Sequence, residues 1–264
     1  MKNRSRTLAT LVLTLLITLS LAPSLIALSP NGAHAQRRST RRRAARPPRE
    51  KVTQEENIRF PRAGRVKVRA VEARGRLPRL EFVSEATGRR LGSITLGTSA
   101  PESYRPLDEP GISLIDPFVR FKALDAEGLP APLVFAVAVR PGGSDHGFET
   151  TLIAARGTGF RVLTTEPLLT SIQGGVFVGD LGGGRGPGAA VWGFIWEDDE
   201  VHHGSHRYEV KLYPFDARRG VFRRAAVLRS KQKHERGEDA LEELGLPRYT
   251  NLLDNFPAIK DYRN

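Results

Sequence analysis

Short apolar runs, each four to nine residues long, follow one another between positions 66 and 228 and are separated by Gly, Pro, Asp or Ser. Val66–Val71 and Leu80–Val83 alternate with a period of two, which is the pattern of half-buried strands. Helical periodicity is first predicted at Gly237–Leu244, with Pro247 soon after. Further strands are predicted at Leu91–Leu96, Phe118–Phe121, Leu133–Val139, Phe148–Ile153, Gly175–Val178, Ala189–Trp196, Tyr208–Tyr213 and Gly220–Leu228. The fold class predicted is all-β with a short C-terminal helix.

The chain contains no cysteine. Disulfides, thiolate metal ligands, a cysteine nucleophile and a lipidated cysteine are therefore excluded. All 12 Phe, both Trp and all five Tyr lie at position 60 or beyond, so the hydrophobic core is predicted there.

The formal net charge of +12 is unevenly distributed. Residues 1–35 contribute +3, and residues 36–51 contribute +7, which leaves +2 for residues 52–264. A nearly neutral folded part does not favour nucleic-acid binding, and no specific nucleic acid is predicted as a partner.

The first 60 residues are predicted to be an export signal followed by a linker. Lys2, Arg4 and Arg6 precede a hydrophobic stretch at 8–28, and Ala33-His34-Ala35 fits a cleavage site before Gln36. The alternative is an uncleaved membrane anchor through residues 8–28. Residues 36–60 are predicted to be a basic disordered linker, because they are rich in Arg and poor in apolar residues. The 36–51 tail is also a candidate for attachment to an anionic surface.

Residues 61–264 are predicted to form one all-β repeat domain with a short helical C-terminal segment. Its most informative feature is an internal repeat, in which an Asp-led turn with Gly and Pro precedes a buried strand. The matched pairs are Asp125 with Asp180 (offset 55), Phe148 with Tyr208 (offset 60) and Phe160 with Phe222 (offset 62). A shorter unit is predicted at 64–98, with Glu72–Leu80 aligned to the Asp125 segment and Thr87-Gly88 aligned to Thr158-Gly159.

With the turn Asp180–Trp192, the strand Tyr208–Tyr213 and the turn Arg219–Phe222, the chain resembles the FG-GAP/VCBS-type repeat proteins, which have integrin-α-like propeller blades. The resemblance covers about 112–230, and 64–98 weakly. It implies blade-like antiparallel sheet repeats, as a partial propeller or as packed sheets, since a complete propeller requires at least four blades. In that family the Asp-led turn is a calcium loop.

The calcium loop is degenerate here, because the positions that follow Asp180 at intervals of two are Gly182, Gly184 and Gly186. Calcium needs six to eight oxygen ligands, so no cofactor is predicted. We expect Asp180 and Asp125 to bond the backbone amides of their own turns.

The loop at 197–206 concentrates four acidic residues and three histidines, and such residues can ligate metals. The weak candidate ligands are Asp198, Asp199, His202, His203 and His206. The alternative is a polar hairpin tip, since adjacent histidines on an extended chain point in opposite directions.

No catalytic residue is predicted. The sequence lacks Gly-x-Ser-x-Gly, and the contiguous Ser144-Asp145-His146 cannot by itself form a catalytic triad. Trp192 and Trp196 are predicted to face the same side of a strand, either as core residues or as a stacking platform for a sugar.

The sequence therefore predicts an exported, non-enzymatic binding or recognition protein of the bacterial periplasm or cell envelope, whose partner is an unidentified protein or polysaccharide. One alternative is an envelope hydrolase with carboxylates in the 145–149 or 197–206 loops. Another is a structural envelope protein anchored through residues 8–28.

Overall fold

A computed structural model of the chain describes residues 49–73, 76–97, 119–140, 147–197 and 204–259. Strands make up 56% of the structure and helices 8%, which confirms the all-β fold class with a short C-terminal helix. The predicted signal at 1–35 and the tail at 36–48 lie outside the described residues.

The strands form three antiparallel sheets. Sheet 1 contains β1 (Glu50–Phe60), β2 (Gly64–Ala73), β3 (Arg79–Ser84) and β4 (Arg90–Thr95). Sheet 2 contains β5 (Val119–Leu124), β6 (Leu133–Arg140), β7 (Gly147–Arg156), β8 (Gly159–Val162) and β9 (Leu168–Ser171). Sheet 3 contains β10 (Gly175–Asp180), β11 (Pro187–Ile195), β12 (Arg207–Asp216), β13 (Val221–Phe222) and β14 (Ala226–Arg229). Helix α1 (Gly237–Glu243) and a 3-10 helix (Leu252–Asn255) follow.

Sheets 2 and 3 have the same connectivity. In each, three strands form a meander, and two short strands pair end to end along the outer edge of the third. Thus β8 and β9 pair with β7, and β13 and β14 pair with β12. The repeat predicted from the sequence is a structural unit.

The strand registers reproduce the predicted offsets between these two units. At the first turn, the pair Leu124↔Leu133 of sheet 2 corresponds to the pair Gly179↔Gly188 of sheet 3, and each residue of the second pair lies 55 positions after its counterpart in the first. At the last turn, the pair Ala155↔Phe160 of sheet 2 corresponds to Phe215↔Phe222 of sheet 3. Here Phe215 lies 60 positions after Ala155, and Phe222 lies 62 positions after Phe160. Asp180 Oδ1 accepts a hydrogen bond from Gly182 N at 3.0 Å, so this aspartate bonds its own turn as predicted.

Three predictions about the strands are wrong. The linker predicted at 36–60 ends earlier, because β1 begins at Glu50 and buries Ile58 and Phe60. The strand predicted at Gly220–Leu228 is two short strands, β13 and β14. The alignment of Glu72–Leu80 with the Asp125 segment fails, because this turn joins the second and third strands of sheet 1, whereas the Asp125 turn joins the first and second strands of sheet 2.

The sheets stack face to face, and each of the two gaps between neighbouring sheets is filled by its own apolar core. Between sheets 1 and 2 the core includes Phe60, Val68, Phe82, Phe121 and Ala136. Between sheets 2 and 3 it includes Phe135, Phe148, Leu152, Val191 and Tyr213. Strands of sheet 2 therefore bury both faces, which explains the long buried run along β7.

The two outer faces of the stack differ from the inner faces: one is covered by the C-terminal segment, and the other carries charged side chains. The free face of sheet 3 is covered by α1 and the segment after it, with Leu241 and Tyr249 packed in a third core. The free face of sheet 1 carries ion pairs, with Glu55 3.1 Å from Lys67 and 2.7 Å from Arg69. A polar face at one end and a helical cap at the other are typical of terminated repeat stacks. The three antiparallel sheets therefore form an open stack.

Side-chain amides form hydrogen bonds with backbone groups of the first strands of sheets 2 and 3, at equivalent positions. Gln54 Nε2 donates to Phe121 O at 2.7 Å, and its Oε1 accepts from Phe121 N at 3.1 Å. At Val176, which is 55 positions after Phe121, Asn251 Oδ1 accepts from the backbone N at 3.1 Å. Each amide stands in for a neighbouring strand and protects an otherwise unpaired edge.

Candidate functional site

An open cleft separates sheets 2 and 3 at one end of the stack, with a volume of about 320 Å³. It lies where β7 and β12 begin and where β9 and β11 end. Its lining contains Gly147, Leu169, Thr170, Ser171, Val191, Gly193, Phe194, Ile195, Glu209 and Lys211. We call this the inter-sheet cleft. The hairpin connections beside it in the chain, 141–146 and 198–203, lie outside the described residues.

Two hydroxyl side chains of β9 join the sheets at the base of the inter-sheet cleft. Thr170 Oγ1 donates to Trp192 O at 2.6 Å, and Ser171 Oγ accepts from Phe194 N at 3.2 Å. A Cβ on Gly193 would lie 3.1 Å from Ser171 N, so glycine lets the two strands approach. These bonds hold the cleft walls at a fixed separation.

Glu209 and Lys211 supply the charge in the inter-sheet cleft. Lys211 Nζ lies 3.0 Å from Glu209 Oε1, and Arg229 Nη2 lies 2.8 Å from Glu209 Oε2. Burial raises the pKa of Glu209, but hydrogen bonds from Lys211 and Arg229 outweigh burial and hold the pKa below its ordinary value. The carboxylate is therefore ionised at neutral pH and accepts hydrogen bonds.

The equivalent position between sheets 1 and 2 is closed. Glu149 lies 60 positions before Glu209 on the matching strand, yet it is only 5% exposed. Its Oε1 accepts a hydrogen bond from Gly97 N at 3.2 Å, just after β4. The two glutamates thus occupy matching places in the repeat, and the one in sheet 3 faces an open space.

The structure places few of the residues that the sequence suggested as ligands. Asp198, Asp199, His202 and His203 lie outside the described residues, as does Ser144-Asp145-His146. His206 is fully buried, and its ring stacks on Phe194 with centroids 4.6 Å apart. Glu197, at the start of the same loop, forms ion pairs with Arg207 and Lys233. Within the described ranges, no group of three or more His, Cys, Asp or Glu could share a metal ion.

Trp192 is a core residue with 1% of its surface exposed, which decides between the two roles that the sequence left open for it. Trp196 lies further along the chain, with its ring 5.6 Å from His206 and 5.1 Å from Phe194. Phe194 and Trp192 belong to the core on the α1 side of sheet 3, whereas Trp196 follows the end of β11 at Ile195, so the face predicted to be shared by Trp192 and Trp196 stays a prediction.

Sequence reasoning missed most of the cleft residues, including Ser171, Gly193 and Lys211. The strand β9 was not predicted, because Leu168–Ser171 is only four residues long. The signal that was available is the repeat itself, which aligns Glu149 with Glu209.

None of the described helices is long and apolar enough to span a membrane. Comparisons with protein-family models, with curated proteins and with solved structures found no match.

Proposed function

We propose that this chain is an exported, non-enzymatic binding protein of the bacterial periplasm or cell envelope, and that its inter-sheet cleft holds part of an envelope polysaccharide. The observation that carries the proposal is the open cleft with Glu209 and Lys211 on one wall, at a place where the equivalent gap between sheets 1 and 2 is filled. Ligand sites are commonly concave, largely pre-formed spaces of roughly 300 to 1,000 Å³.

The chemistry of the cleft suits a hydroxyl-rich ligand. The Glu209 carboxylate accepts hydrogen bonds from hydroxyl groups, and the Lys211 ammonium donates to them. Apolar surface from Leu169 and Ile195 completes the lining and can cover the C–H face of a sugar ring. The volume of about 320 Å³ suits a single sugar unit or a short branch.

The number and the pKa of the carboxyl groups in the cleft favour binding without hydrolysis. Glycoside hydrolysis uses two carboxyl groups, one of them an acid with a raised pKa. Among the described residues that line the cleft, Glu209 is the one carboxylate, and its pKa is lowered. Glu149, which belongs to the rival hydrolase hypothesis, is buried against Gly97.

Substituting Glu209→Gln together with Lys211→Met is expected to weaken binding of soluble envelope glycan fragments by about tenfold or more, because each charged group loses its bond to the ligand. Isothermal titration calorimetry measures this change. The matched control is Glu55→Gln with Lys67→Met, an ion pair on the outer face of sheet 1. Equal affinities for both double variants would exclude the cleft as the site, and release of reducing ends by the wild type would favour the hydrolase.

Export is supported by the sequence alone, through the basic start, the hydrophobic stretch at 8–28 and Ala33-His34-Ala35. Expressed in a bacterial host, the exported protein is expected to begin at Gln36, as read by intact mass. A bulky residue at the cleavage site, as in Ala35→Leu, is expected to block processing. A mature protein that keeps residues 1–35 and sediments with membranes would favour the anchor through 8–28.

Kinship with the FG-GAP/VCBS-type repeat proteins remains a proposal. The strand order shared by sheets 2 and 3 and the Asp180 turn support it.

A further inference from the structure

The end of the stack opposite the inter-sheet cleft is rich in arginine. In an antiparallel meander, the turns alternate between the two ends of the sheet. The strands β7 and β12 begin at the cleft. The turns that follow these two strands therefore lie at the opposite end of the stack. These turns and the residues just beyond them carry Arg156, Arg161, Arg218, Arg219, Arg223 and Arg224. We call these six residues the arginine rim.

The two turns that carry the arginine rim are in contact. Arg161 Nη2 donates to Gly220 O at 2.6 Å and lies 3.4 Å from Arg219 O. Thr164 also bridges to Phe222 in parallel register just beyond the turns. The arginines of sheets 2 and 3 consequently form one continuous surface.

The charge of the arginine rim is only partly neutralised. Arg219 pairs with Asp216 at 3.1 Å, and Arg224 pairs with Glu166 at 3.2 Å. Six guanidinium groups and these two carboxylates leave a local charge of +4. Over the described part of the chain, Arg156, Arg218 and Arg223 are exposed and have no carboxylate partner.

Apart from Asp216 and Glu166, which pair with rim arginines, the acidic residues in the turns of sheets 2 and 3 at this end belong to different connections. Asp125, Glu127 and Asp180 lie in the connections between the first and second strands of their sheets. The arginine rim belongs to the connections between the third and fourth strands, on the other side of each meander. Asp125, Glu127 and Asp180 are thus set apart from the arginine rim.

We propose that the arginine rim docks on an anionic lipid surface by binding phosphate groups of the lipid head groups. The planar guanidinium fork matches phosphate oxygens with two parallel hydrogen bonds. Neighbouring turns of adjacent sheets present these groups side by side, so several phosphates of one flat surface can be met at once. The shallow groove at this end contains Arg223 and Arg224 beside Phe215 and Asp216, and since Asp216 is paired with Arg219, the groove adds a place for one head group.

This docking has a geometric consequence for the inter-sheet cleft. The cleft and the arginine rim lie at opposite ends of the same strands, β7 and β12. A protein docked through its rim therefore presents the cleft away from the lipid surface. The docking proposal does not depend on what the cleft binds.

The test is vesicle co-sedimentation of the protein purified after export, with bilayers that contain phosphatidylglycerol or only phosphatidylcholine. Each basic residue near an anionic leaflet is worth about a fivefold change in partition. Substituting Arg156, Arg218 and Arg223 with Gln is expected to weaken binding to the anionic vesicles by at least about tenfold. The matched control replaces three exposed basic residues elsewhere with Gln: Lys231, Arg236 and Arg248. We expect the control to change binding by less than about twofold.

Equal loss in both triple variants would overturn the proposal, since it would indicate net charge or the 36–51 tail as the determinant. Unchanged binding of the rim variant would overturn it as well. Rim-dependent binding to soluble polyphosphate, with no preference for anionic vesicles, would replace the lipid with a polymer. Loss of wild-type binding at about 0.5 M salt, together with the expected difference between variants, would support the proposal.

Discussion

Replacing Trp192 with alanine is expected to lower the free energy of unfolding by about 3–5 kcal/mol, the range for removing a large aromatic side chain from a packed core. Trp192 is 1% exposed and packs between sheet 3 and the C-terminal cap. A Cβ on Gly175 would lie 2.2 Å from the indole ring, and one on Gly237 would lie 2.4 Å from it. Backbone this close on two sides cannot collapse easily into the space that the ring leaves.

Trp192→Phe is the control for this prediction. In the described structure Trp192 Nε1 is buried and has no hydrogen-bond partner, so phenylalanine loses volume but no bond. We expect its cost to be less than half that of alanine. Urea denaturation followed by far-UV circular dichroism measures both, with unchanged slopes showing that the transitions are comparable. An alanine variant as stable as the phenylalanine variant would contradict the packing of the C-terminal cap on sheet 3.

Replacing Asn251 with alanine is expected to cost about 2–4 kcal/mol, because a buried backbone donor left without a partner is expensive. Asn251 is 5% exposed, and its Oδ1 accepts from Val176 N at 3.1 Å and from Leu253 N at 3.2 Å. Its Nδ2 lies 3.4 Å from Gly174 O. The side chain therefore fastens the C-terminal segment to the edge of β10.

Gln54→Ala is the matched comparison, since Gln54 serves the equivalent position Phe121 in sheet 2. Gln54 is only half-buried, so water can replace part of its bonding and the expected cost is about 1–2 kcal/mol. Asn251→Asp keeps both acceptor bonds and loses the donor, and we expect an intermediate cost. Thermal and urea unfolding of the three variants give the order of their losses in unfolding free energy. If Asn251→Ala were no more costly than Gln54→Ala, the C-terminal segment would not be holding the β10 edge.

The strands that the sequence predicted are those with local apolar alternation. In β2, inward Val66 and Val68 alternate with outward Lys67 and Arg69, and this contrast is visible without any structure. The repeat offsets were predicted for a similar reason, because equivalent turns need the same backbone geometry. Gly157 and Gly220 each have a positive φ, +64° and +65°, in matching turns.

The strands that the sequence missed depend on partners far along the chain. Most of β1 is polar, and its charged side chains are matched across the sheet, as Glu55 is to Lys67 and Arg69. Such a segment resembles a solvated linker until its partner strand is known. The strands β8 and β9 are four residues each and exist because the edge of β7 needs hydrogen-bond partners.

The candidate site also combines features that depend on local sequence with features that depend on the packing of distant residues. The positions of the strands and turns, the location of the charge and the correspondence between units follow from the amino-acid sequence, because these properties depend on near neighbours in the chain. The sequence aligned Glu149 with Glu209 but could not distinguish them. The packing of the sheets distinguishes them: Glu149 is covered near Gly97, while Glu209 faces an open cleft. That difference arises because burial is set by what the adjacent sheet places against each residue.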